Sequence, residues 1–131
     1  MSPIGDFNNL YFEFINFIKL HLENDPNFKT FYRKNTIMRD VNPKYFISTW
    51  NTRITKLYYE QIRLRNIDFF LNKDYNDDLN TNTNTNATES NLLMVYINKF
   101  KRSYDTLTEE TKTTFVNFIV NLTHLSFLYY N

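Results

Sequence analysis

Cysteine is absent from the 131 residues, which excludes disulfides and thiolate metal sites. Glycine occurs once, at Gly5, and alanine once, at Ala87. A phosphate-cradling loop, a dinucleotide fingerprint and a nucleophile elbow each need several residues free of a Cβ, so none of these enzyme motifs is present. Charge of one sign is also missing: 15 Lys and Arg face 14 Asp and Glu, for a net charge of +1. Bulk charge therefore selects neither nucleic acid nor a membrane as partner. The start of the chain lacks a basic region followed by an apolar run and a small-residue cleavage site, so secretion is not expected. The longest apolar stretch, FVNFIVNLTHLSFLYY, has 16 residues and carries Asn117, Asn121 and His124. A spanning helix needs about 20 residues with few polar interruptions, so this one is expected in a bundle and not across a membrane.

What the chain has in abundance is aromatic residues, 13 Phe and 10 Tyr with one Trp, and asparagine. Phe, Tyr, Met, Ile, Asn and Lys, all with AT-rich codons, make up 65 of the 131 residues, so the asparagine content reflects nucleotide composition more than chemistry. At 18% aromatic, the chain has more ring surface than one small core readily buries, and the remainder is expected as an adhesive surface patch.

Apolar periodicity predicts an all-α protein, a compact bundle of four main helices plus short helical turns, in a single domain over 1–131. Phe7, Leu10, Tyr11, Phe14, Ile18 and Leu22 share one helical face near 6–23, with Asp6 as the cap. Asp25-Pro26 reads as a cap followed by proline at the first helical position, opening a short helix with Phe28, Phe31 and Tyr32. Asn42-Pro43 repeats that punctuation before the longest stripe, near 43–65: Phe46, Ile47, Trp50, Ile54, Leu57, Tyr58 and Ile62. Phe69, Phe70 and Leu71 suggest one further turn. Residues 74–91, with TNTNTN at their centre, have neither period nor bulk to bury and are expected as a flexible loop. Two more helices are expected near 91–104 and 109–129, the last capped by Thr108 with Glu109 and Glu110 in its first turn.

No catalytic constellation emerges. His21 and His124 lie at opposite ends of the chain, and the acid pairs Asp77-Asp78 and Glu109-Glu110 sit where solvation or a helix dipole favours their charge. Catalytic residues, metal ligands and cofactors are all expected to be none. Charge by segment says more than the total. Residues 29–65 carry nine bases against Asp40 and Glu60, a net +7, between acidic flanks. Arg33, Lys34, Arg39, Arg53, Lys56 and Arg63, with Tyr59 beside them, are the candidate contacts for nucleic acid or another partner: bases hold phosphates and rings hold unstacked bases. The alternative for these residues is a solvated face balanced by the acidic flanks.

The segment FYRKNTIMRDVNPKYFISTWNTRITKLYYEQIRLRNIDFFLNKDY, residues 31–75, together with the codon bias, resembles small uncharacterised proteins of the nucleocytoplasmic large DNA viruses, the mimivirus-like group especially. That resemblance implies a setting in the host cytoplasm, at a viral factory, or in the virion. AT-rich protists share the composition. The expected role is non-enzymatic, through a protein partner or self-association; the alternative is nucleic-acid binding through 29–65.

Overall fold

A computed structural model describes residues 2–21, 28–65, 102 and 104–131. The expected loop at 74–91, the helix at 91–104, the aromatic turn near 69–71 and the Asp25-Pro26 cap lie outside the described residues or almost wholly so. Within them the chain is all-α, with its helices packed around one core.

Helix α1 runs Pro3–His21 and starts earlier than the periodicity suggests. Its cap is Ser2, not Asp6. The Ser2 hydroxyl accepts from the Gly5 N–H at 3.3 Å, and its carbonyl accepts from the Asp6 N–H at 2.9 Å. Proline at the first helical position then costs no hydrogen bond, and Asp6 serves the first turn through its charge.

Helix α2, Phe28–Val41, has 14 residues, longer than the short element expected. Its buried stripe is only Phe28, Phe31 and Asn35, too thin for periodicity to extend it. Asn35 continues the stripe because its polarity is satisfied: the Tyr11 hydroxyl donates to Oδ1 at 2.8 Å, and Nδ2 donates to the Phe31 carbonyl at 2.6 Å.

Burial, reinforced by neighbouring Tyr45, pushes the Tyr11 phenol far above its ordinary value of 10.0. The unfolded chain gives up this proton near pH 10 while the folded chain keeps it. Tyr11 therefore leaves stability untouched below that pH and erodes it above. Tyr11→Phe should remove about 1.4 kcal/mol per pH unit from the alkaline loss of folding free energy. At neutral pH it should cost about 1–3 kcal/mol, because the Asn35 acceptor is left unpaired. Urea titrations of both proteins between pH 8 and 11 measure the two slopes, and parallel slopes would refute the assignment.

The long stripe forms a single rod in three parts: α3 (Tyr45–Trp50), a π-helical segment (Asn51–Thr55) and α4 (Lys56–Arg63). The rod begins at Tyr45 because Pro43 and Lys44 complete a turn, in which the Tyr45 N–H reaches the Asn42 carbonyl at 3.0 Å. Asn8 locks that turn to α1 by donating to the Pro43 carbonyl at 2.9 Å. The π segment has a geometric cause. Trp50, Ile54, Tyr58 and Ile62 are all buried at four-residue steps, and in an α-helix each such step overshoots a full turn by about 40°. A wider turn, closed by the Lys56 N–H on the Asn51 carbonyl, absorbs the drift and keeps all four on one face. Leu57, expected on the buried stripe, is thereby carried outward and is 56% exposed.

The rod ends at Arg65, which takes the left-handed conformation with φ 59° and donates from its guanidinium to Asn117 Oδ1 at 3.0 Å. This is a position that glycine usually fills. A 3-10 turn, Tyr104–Thr106, precedes helix α5, Glu109–Tyr130. Thr108 caps α5 as expected, its hydroxyl accepting from the Thr111 N–H at 3.1 Å. No helix among the described residues is long and apolar enough to cross a membrane.

Helix α5 packs against α1 and all three parts of the rod, and α2 lies against α1 and α3. At the centre, Trp50 meets Phe7 and Phe14 edge-on, with ring centroids 6.1 and 5.9 Å away. Phe14 continues to Phe115 of α5 at 6.0 Å. Among the described residues the aromatics form no outward patch: of their Phe, Tyr and Trp side chains only Tyr130 is exposed. Rings pack on rings, and several half-buried ones are roofed by cations, Lys19 over Tyr32, Lys44 over Tyr129 and Lys112 over Tyr104. Among the described residues the large apolar side chains left exposed are mostly aliphatic, at Leu20, Ile37, Val41, Leu57, Leu64 and Leu128.

Candidate functional site

The π segment rests on α5 through a buried polar seam. Trp50 Nε1 donates to Thr123 Oγ1 at 3.0 Å, and the hydroxyls of Thr55 and Ser126 share a short hydrogen bond. Ser126 Oγ also reaches the Thr123 carbonyl at 3.1 Å. Each of these side chains is fully or nearly buried, and each polar group named has a partner, so the seam does not carry the cost of unpaired burial.

On the solvent side of this seam lies a half-open groove of about 630 Å³, lined by Ser48, Asn51, Thr52, Thr55, Lys56, Tyr59, Phe127, Tyr130 and Asn131. Tyr59 of α4 and Phe127 of α5 stack with centroids 3.9 Å apart and planes within 11°, forming one wall. The π turn contributes much of the rest. Such wide turns are frequent at functional sites, because they displace backbone and side chains from helical register.

The residues singled out from sequence separate into three groups. Lys56 and Tyr59 meet in the groove. Arg39 is turned inward: it lies over the Phe12 ring at 4.7 Å and donates to Asn9 Oδ1, clamping α2 to α1. Arg63 is exposed and donates to Glu60 Oε2 at 2.8 Å, and that hydrogen bond pushes its guanidinium further above its ordinary value. Arg33 and Lys34 are exposed on α2, and Arg53 is half-buried in the π segment. Lys56, Leu57, Glu60, Arg63 and Leu64 together make the outward face of the rod's C-terminal end, which is basic and aliphatic rather than purely basic.

Sequence reasoning missed Ser48, Asn51, Thr52, Thr55, Phe127, Tyr130 and Asn131 as members of one site. The available signal was the polar run Asn51, Thr52 and Thr55 inside an otherwise apolar stripe, which reads as poor helix propensity when taken alone. No protein-family model matches the chain, and neither does any curated protein or solved structure.

Proposed function

We propose that this is a non-enzymatic helical interaction protein, of viral origin and at work in the host cytoplasm or the virion, that acts by docking a protein surface, either a partner or a second copy. The observation that carries this reading is the outward face of α4. Leu57 is 56% and Leu64 67% exposed, seven residues apart on one side of the helix, with Lys56, Glu60 and Arg63 around them. The same rod already fills the core with its opposite face, so folding alone does not require these leucines. Replacing both by Asp should leave the melting temperature within a few degrees, since exposed positions cost little, and should abolish concentration-dependent association in light scattering. A strict monomer at high concentration, with no partner recovered from infected or host cells, would contradict the proposal.

A second reading, nucleic-acid binding, is favoured by one observation: Lys56 and Arg63 are exposed on the same helix face, beside Tyr59. In that case binding should weaken steeply with salt as neutralised phosphates release counterions. Reversal of Arg53, Lys56 and Arg63 to Glu should then abolish it. Gel-shift titrations against random single- and double-stranded DNA and RNA at two salt concentrations separate the readings, and no shift at low salt removes this one.

A further inference from the structure

We propose that the groove over the π turn is a binding site for a nucleoside monophosphate, free or as the phosphate-bearing terminal nucleotide of a strand. The inference does not depend on the docking face, because Leu57 and Leu64 do not line the groove.

The volume, about 630 Å³, lies within the range of roughly 300–1,000 Å³ common to small-ligand pockets. The lining side chains include one cation, Lys56, and no acid, so the groove favours a ligand with a localised negative charge. A lysine ammonium suits a phosphate as a point charge. Tyr130, which is exposed, and the Tyr59–Phe127 wall supply aromatic surface, on which a base can stack without sequence preference.

The residues between these two features decide the class of ligand. Asn51, only 7% exposed as a residue, lines the groove and offers its amide there as both donor and acceptor. Ser48 and Thr52 add two hydroxyls to the same lining. An inorganic anion would use Lys56 and leave the rings idle. A neutral aromatic molecule would do the reverse. A sugar carrying both a phosphate and a base engages the cation, the hydroxyl and amide groups, and the rings together.

The test is calorimetric titration of the full chain with adenosine 5′-monophosphate and uridine 5′-monophosphate. Parallel titrations use adenosine, inorganic phosphate, and a hexanucleotide with and without a 5′-phosphate. Both monophosphates should bind, with adenosine and phosphate each at least tenfold weaker. Lys56→Gln and Tyr130→Ala, both at exposed positions, should each weaken binding at least tenfold while circular-dichroism melts stay unchanged. Tighter binding of the 5′-phosphorylated hexanucleotide than of the free monophosphates would assign the ligand to a strand end, and the opposite order would assign it to the free nucleotide. No heat with either monophosphate at millimolar concentration would overturn the proposal. So would phosphate binding as well as the nucleotides, or full affinity in both variants.

Discussion

Trp50→Ala is expected to lower the folding free energy by about 3–5 kcal/mol, a large share of the roughly 5–15 kcal/mol that holds a domain of this size together. Two losses combine. The indole has no exposed surface and fills the space between Phe7, Phe14 and the π turn, so its removal opens a cavity lined by rigid rings that cannot collapse into it. It also leaves the buried Thr123 hydroxyl without its indole donor. Trp50→Phe separates the two, keeping much of the volume while losing the N–H, and should cost about half as much. Urea denaturation gives both values. Native emission should peak well to the blue of free tryptophan, and emission at the exposed wavelength would show that the core is misassigned.

Insertion of one alanine after Thr52 should be more damaging than any substitution at that position. Thr52 is exposed, so Thr52→Ala should change stability by no more than about 0.5 kcal/mol. The π turn already accommodates an extra residue, so a further one rotates everything downstream by about 100°, the angular step of one residue. Tyr58 and Ile62 would leave the core and Lys56 would leave the groove. The expected loss exceeds about 4 kcal/mol, the range reserved for disrupted cores. Measured by the same denaturation, a loss below about 1 kcal/mol would mean that the rod does not hold its register through the π turn.

These two positions also show how far sequence reaches. Trp50 was legible as core because a fully apolar stripe at helical spacing has few other uses, and the start of α5 was legible because Thr108 and the two glutamates act within one turn of themselves. The π turn was not. Positions 54, 57, 58 and 62 satisfy an ordinary helical pattern, and only packing against α5 decides that Leu57 leaves the stripe while Tyr58 stays. The extent of α2 was hidden for a related reason, since Asn35 looks polar until Tyr11 arrives from another helix to satisfy it. The groove was least legible of all, because it joins residues 48–59 to 127–131 and no local signal spans that separation. Lys56 and Tyr59 were found for their charge and ring, whereas Asn51 gains its interest from lining the groove, a property that exists only after folding.

The seam between the rod and α5 bears on how uniquely this protein folds. A core of phenylalanine, tyrosine and isoleucine is cohesive but undirected, and one helix can slide past another by a turn of about 5.4 Å and find new rings to contact. Hydrogen bonds do not tolerate that slip. Trp50 to Thr123 and Thr55 to Ser126 sit about one helical turn apart along both partners, so any sliding of α5 breaks the two together and strands the Trp50 N–H and the Thr55 and Thr123 hydroxyls in an apolar interior. They act as indexing pins. A double variant with Thr123→Val and Ser126→Ala would keep its helices and much of its stability, and its deficit would surface as a population of alternative packings, visible as doubled or broadened methyl resonances in α5.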